Sequence, residues 1–208
     1  MNLRLPYRVG NGPLTLLIDS TGINAESKGE WNARKHGGRT RRIWRKMHIG
    51  IDEATLEVRA IEVTTGNVGD APMLPGLLSQ IPSDQEIGSM TGDGAYDTRK
   101  CHDAMAARGA HAVILPRKNA KPWKPTSPGA IARNEAVNAS RYLGRALWRR
   151  WSRYHRRSRV DTKMHCVKLL GQRLRARDFE RQIAEIQVRI AVLNRYTALG
   201  IPITQPAG

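Results

Sequence analysis

The sequence predicts an α/β fold built on a five-stranded mixed sheet flanked by helices. Three observations lead there. Five short apolar runs of strand length fall between residues 14 and 115, three in succession and then two separated by helical patterns. Asp19 and Asp93 each stand just past the end of one of these runs, beside turn-forming residues. Beyond residue 130 the pattern is helical, and its last segment is clearly amphipathic.

The elements follow in order. Residues 1–13 read as a linker. Residues 14–18 (LTLLI) read as a buried strand closed by Asp19 and a Ser-Thr-Gly turn. A basic stretch covers 24–46, and strands follow at 47–51 and 57–63 with a hairpin-like turn between them. Asp70 is placed as N-cap of a helix over 71–80. A strand near 87–91 ends at Asp93 in Thr-Gly-Asp-Gly, and a helix over 98–108 stops at Gly109. Residues 112–115 are a further buried strand. Residues 117–129 (RKNAKPWKPTSPG) are a basic, proline-rich loop. Residues 131–175 are expected to be mostly helical with a break near 150–153, and Leu143, Leu147 and Trp151 recur at i, i+4. The final helix, 178–197, turns Ile183, Ile186, Ile190 and Leu193 inward, and the tail from 201 frays.

Three antiparallel strands followed by alternating helices and strands is the element order of a ribonuclease-H-like fold. In it the first and fourth strands are neighbours, which would bring Asp19 and Asp93 to one place in the sheet.

Composition narrows the function. The 208 residues suffice for one sizeable domain. A formal net charge of +17 repels itself unless a polyanion is the partner, and points to salt-sensitive nucleic-acid binding. No apolar run is long enough to span a bilayer, so no membrane partner is expected. The two cysteines, Cys101 and Cys166, fit a cytoplasmic protein without a disulfide framework and read as core residues.

The chemistry-bearing residues are carboxylates and cations. Tyr154, Arg157, Asp161 and Lys168 fall within about 60° of one another at about 100° per residue, so they share one helical face. A phenol, a guanidinium, a carboxylate and an ammonium on one face suit a metal ion and phosphate; a solvated helix with an Arg157–Asp161 pair is the plainer alternative. Asp19, Asp93 and Asp161 together could hold two Mg²⁺ or Mn²⁺ ions for phosphoryl transfer. The loop cations Arg117, Lys118, Lys121 and Lys124, with Trp123 among them, suit backbone contact and base stacking. Trp148 and Trp151 read as core. The histidines show no zinc spacing.

The motifs LLIDSTG (16–22), EWNARKHGG (30–38), WRKMHIGIDEATLEV (44–58), NVGDAPMLPGLL (67–78), TGDGAYDTRKCHDAMAARGA (91–110), PRKNAKPWK (116–124) and YHRRSRVDTKMHCVKLLG (154–171) span most of the chain. They resemble those of bacterial insertion-sequence transposases with a DDE triad, in the insertion-sequence-five group. The resemblance implies a ribonuclease-H-like catalytic domain over 14–200 and a pair of Mg²⁺ or Mn²⁺ ions. It implies cleavage of transposon ends and strand transfer into target DNA, by a homodimer on double-stranded DNA associated with the nucleoid. The family acids fall on Asp19, Asp93 and position 161. The signature Tyr-x2-Arg-x3-Glu-x6-Lys falls on Tyr154, Arg157, position 161 and Lys168, with Asp161 where the pattern has Glu. An aspartate is one methylene shorter, and its carboxylate sits back by roughly 1.5 Å. Family members usually carry a helical region before the first catalytic strand, so the chain is expected to be a catalytic part lacking it. The alternative reading is a DNA-binding remnant without catalysis.

Overall fold

The structure is a computed structural model that describes Leu5, Tyr7 and residues 12–26 and 43–200. Most of the expected 1–13 linker, the basic stretch from Lys28 to Arg42 with Trp31, and the 201–208 tail lie outside the described residues.

Five main strands form one sheet: β1 (Leu14–Ala25), β2 (Ile43–Asp52), β3 (Val58–Thr65), β4 (Ile87–Gly92) and β5 (His111–Ile114). Their order is β3-β2-β1-β4-β5. β1–β2 and β2–β3 are antiparallel, whereas β1–β4 and β4–β5 are parallel. The first and fourth strands are therefore neighbours, as the element order requires. A two-residue strand, β6 (Arg173–Leu174), adds to β1 in parallel at Asn24 and Ala25. The sequence reading lacks it, because two residues in a basic stretch carry no period.

The first part of β1, residues 14–18, is almost wholly apolar because both its faces are covered there. Alternation sends Leu17, Ile23 and Ala25 to one core, and Leu14, Leu16 and Ile18 to the other. The first core is closed by helices α5 (Ser158–Leu169) and α6 (Phe179–Leu199) through Val160, Met164, Val167, Ile186, Ile190 and Leu193. The second is closed by α1 (Leu74–Ser79) and α2 (Arg99–Ala107) through Leu74, Leu78, Cys101 and Met105.

Several expectations need correction. Ser20, Thr21 and Gly22 do not form a turn; they continue β1, paired with His48, Met47 and Lys46 of β2. Turn propensity loses there to the cross-strand ladder and to burial of Ile23 and Ala25. The span 131–175 is mostly helical with a break at 152–153, as expected, but it carries a further break at Gly144 and ends in a short strand. It divides into α3 (Pro128–Leu143), α4 (Arg145–Trp151), a 3-10 turn (Tyr154–Arg157), α5 and β6. Gly144, at φ 78°, separates α3 from α4, and Arg153, at φ 56°, separates α4 from the 3-10 turn. The turn at Gly144 dissolves the Leu143–Leu147–Trp151 stripe. Trp148 enters a small core with Val113 and Leu115, while Trp151 is 66% exposed.

α3 docks on α2 through Gly129, where a Cβ would lie 2.4 Å from the His102 carbonyl carbon and 2.5 Å from the Asp103 nitrogen. Both neighbours are backbone and cannot step aside. Gly129→Ala is expected to cost about 3 kcal/mol in a urea unfolding titration, at the upper end of overpacking effects; a loss under 1 kcal/mol would contradict this close approach.

Candidate active site

The β1–β4 register runs Leu16↔Met90 and Leu17↔Thr91. Continued two residues, it sets Asp19 opposite Asp93, just past the end of β4. Asp19 lies on the Leu17 face, the side that α5 covers. It is 9% exposed, and its Oδ1 accepts from the Ser20 N–H at 2.8 Å. Asp93 begins a 3-10 turn (Gly94–Tyr96), its Oδ1 accepting from the Ala95 N–H at 2.8 Å. Gly92 allows a close approach here: a Cβ would press on the side chains of Ile18 and Tyr96 at 3.0 Å. Tyr96 is fully buried beneath the turn.

The expected helical stripe survives in altered form. Tyr154 and Arg157 stand on the 3-10 turn, where i and i+3 eclipse, and Asp161 and Lys168 stand on α5. The Arg157 guanidinium donates to Asp19 Oδ2 and to the Tyr154 hydroxyl. Lys168 Nζ donates to Thr21 Oγ1 at 2.8 Å, two residues along β1 from Asp19. Asp161 is exposed at the start of α5 and acts electrostatically on Asp19 and Arg157. The plain reading, an Arg157–Asp161 pair on a solvated helix, is therefore not what forms: Arg157 reaches across to the sheet.

Asp19 carries the electrostatic signature of the site. Burial raises its carboxyl, the Ser20 N–H and Arg157 lower it, and Asp93 and Asp161 raise it again; the net value is about 6, against an ordinary 3.8. Its folded value lies above the unfolded one. Stability is therefore lost as pH rises from about 4 through about 6. Asp19→Asn removes that loss. It is expected to be about 1–3 kcal/mol more stable than the native chain at pH 7.5 and about equal near pH 4, by urea unfolding at both values. Equal stability at pH 7.5 would refute the elevated carboxyl.

The donor set suits a hard divalent cation, since its groups are carboxylates whose mutual repulsion a cation would relieve. Among the described residues, no three of His, Cys, Asp and Glu are drawn together tightly enough to hold an ion. Arg157 supplies the positive charge at Asp19 instead.

The loop after β5 is clamped by its carbonyls. Arg145 donates to Pro116 O at 2.5 Å, Arg141 to Ala120 O at 2.5 Å and Arg133 to Lys121 O at 2.6 Å. Asn134 holds both the N–H and the carbonyl of Trp123. Arg117, Lys118, Lys121 and Lys124 are left exposed. Trp123, expected to stack on DNA, has its ring engaged by Arg133 at 4.0 Å, Arg99 at 5.3 Å and the His102 edge at 5.6 Å, so it anchors the loop.

Two buried polar clusters escaped the sequence reading. Asp97 accepts from Arg133 Nε and Nη2 at 3.0 and 3.2 Å and meets His102 Nε2 at 3.2 Å. Asp70 does not cap a helix with its side chain. It takes Lys46 at 2.8 Å, His48 at 3.2 Å and the Ser20 hydroxyl. That cluster grips the residue after Asp19 from the opposite face of the sheet. Alternation along β1 and β2 puts Ser20 and His48 on one face; only the placement of Asp70 needed the fold.

The fold is a ribonuclease-H-like sheet with two aspartates at the β1–β4 junction, faced by a helix bearing a third. The family model for the transposase DDE domain matches residues 10–195. The chain belongs to that family, whose members act on DNA. Among the described residues no helix is long and apolar enough to cross a membrane.

Proposed function

We propose that this chain is the catalytic domain, over 14–200, of a DNA transposase that cleaves transposon ends and transfers strands into target DNA. The observation that carries the reading is the meeting of Asp19, Asp93 and Arg157 at the β1–β4 junction. Asp19, Asp93 and Asp161 would hold the Mg²⁺ or Mn²⁺ ions. When bound, these ions supply Lewis-acid activation of the attacking and leaving oxygens.

The remaining steps belong to the chain itself. Arg157 neutralises Asp19 in the state described, and its guanidinium would be available to the scissile phosphate were Asp19 to hold a cation. Tyr154 holds the guanidinium from behind through its hydroxyl. Lys168, tethered to Thr21, sets a second positive charge beside β1. The clamped loop presents Arg117, Lys118, Lys121 and Lys124 to the backbone of the duplex, with Trp123 as its anchor. Two such domains on paired ends form the homodimer, in a bacterial host with the protein at the nucleoid.

The test is divalent-metal-dependent nicking of duplex DNA by the native chain, Asp161→Glu and Asp19→Ala. The reading expects nicking that Asp19→Ala abolishes. It expects Asp161→Glu to nick faster, by up to about 10²-fold, because the carboxylate regains its reach. No nicking by either the native chain or Asp161→Glu would favour the second reading, a DNA-binding domain without catalysis. The exposed, short Asp161 and the absence of a tight ligand trio among the described residues support that second reading.

A further inference from the structure

We propose that Arg175, Arg177 and Arg181 form a second phosphate-contact surface, which takes the same DNA duplex about six base pairs from the cleavage position. The inference rests on the function proposed above for the placement of the cut, but the surface stands on its own observations.

The segment joining α5 to α6 is held as rigidly as the loop after β5. Arg189 donates to Gly171 O at 2.6 Å and to Arg173 O at 2.8 Å. Glu185 accepts the N–H groups of Arg175 and Ala176, each at 2.9 Å, and Gln182 donates to Ala176 O at 2.9 Å. Asp178 caps α6 through the N–H groups of Glu180 and Arg181. Nearby acids are thereby engaged: Glu185 with Arg189 and the backbone, Glu26 with Arg173, Asp178 with the helix end. Only the exposed Glu180 remains against three exposed guanidinium groups, none of which pairs with a described carboxylate. Arg175, Arg177 and Arg181 line one open cleft with Ala176 and Asp178. Three arginines against Asp178 and Glu180 leave the cleft net positive, and on a backbone already fixed they match phosphate oxygens without further ordering.

Position identifies the ligand as the duplex already in the site. β6 joins β1 at Asn24 and Ala25. Six residues of strand from Asp19 to Ala25 span about 20 Å, which is about six base pairs of B-form DNA. A duplex with a phosphate at Asp19 and its axis parallel to β1, running outside the helices that cover that face, therefore reaches this cleft.

The test measures binding of a 24-base-pair duplex in EDTA across a salt series, for the native chain, Arg175→Gln/Arg177→Gln/Arg181→Gln, Arg181→Gln alone and Arg195→Gln. Arg195 is an exposed arginine on the same helix, about four turns away. The triple variant is expected to lower the slope of log K against log salt by about 2.7 and to weaken binding at least about tenfold at 0.1 M salt. Arg181→Gln should lower the slope by about 0.9, and Arg195→Gln should leave it unchanged. An unchanged slope in the triple variant overturns the proposal. So does an equal loss in Arg181→Gln and Arg195→Gln, which would make the effect one of overall charge. The readout needs no cleavage, so failure of the catalytic reading in the nicking assay is seen separately.

Discussion

Asp93→Ala is expected to lower metal-dependent nicking by about 10³-fold or more while leaving duplex binding in EDTA within about twofold. Loss of groups that merely support a metal ligand costs about 10–100-fold, and Asp93 is proposed as a ligand itself. Its geometry favours that role. Oδ1 is fixed by the Ala95 N–H, and no described residue bonds the other oxygen. The structural cost is the loss of a short cap, about 1 kcal/mol, so the variant should remain folded and testable. Nicking retained within tenfold would remove Asp93 from the site and leave Asp19 without its opposite carboxylate.

Asp97→Ala is expected to cost about 3–5 kcal/mol, because it strands Arg133, 4% exposed, without its counterion. Burial alone would raise the Asp97 carboxyl; the hydrogen bonds and charges of His102 and Arg133 outweigh it and hold it at about 2. Its folded value lies below the unfolded 3.8. The stabilisation is thus present above about pH 4 and lost as pH falls through about 2. The gap between native and Asp97→Ala in urea unfolding should narrow over that window. Arg133 also clamps Lys121 O and covers Trp123. The same substitution should therefore loosen the cationic loop and weaken duplex binding by a few-fold. Pairing Asp97→Ala with Arg133→Met should recover much of the stability. A variant as stable as the native chain at pH 7 would show the cluster to be incidental.

The sheet was largely legible in the sequence because its strands are local and apolar. Residues 14–18 and 47–51 are buried runs whose length excludes a long helix, and the α6 stripe of Ile186, Ile190 and Leu193 needed only a period. Asp19 and Asp93 were legible as acids ending such runs, as Asp52 also is, and the fold puts Asp19 and Asp93 opposite each other. What escaped depends on contacts distant in sequence. Thr21 and Gly22 read as a turn until β2 is set beside them. β6 exists only because β1 offers it an edge. Asp97 and Arg133 are 36 residues apart. Lys168 lay on the right face, yet its partner, Thr21, is 147 residues away.

β1 changes neighbours partway along its length. One edge is paired with β2 from Leu16 to Ala25, while the other follows β4 only to Leu17 and meets β6 only at Asn24. Amide hydrogen exchange should therefore be uneven within this single strand. Amides of residues 18–23 directed toward the gap should exchange orders of magnitude faster than those directed toward β2, although the two sets alternate residue by residue. Asp19 sits in that gap, and its carboxylate caps the Ser20 amide there. A bound cation that withdraws the carboxylate would uncover that amide, so Ser20 deuteration would report occupancy of the site without any DNA present.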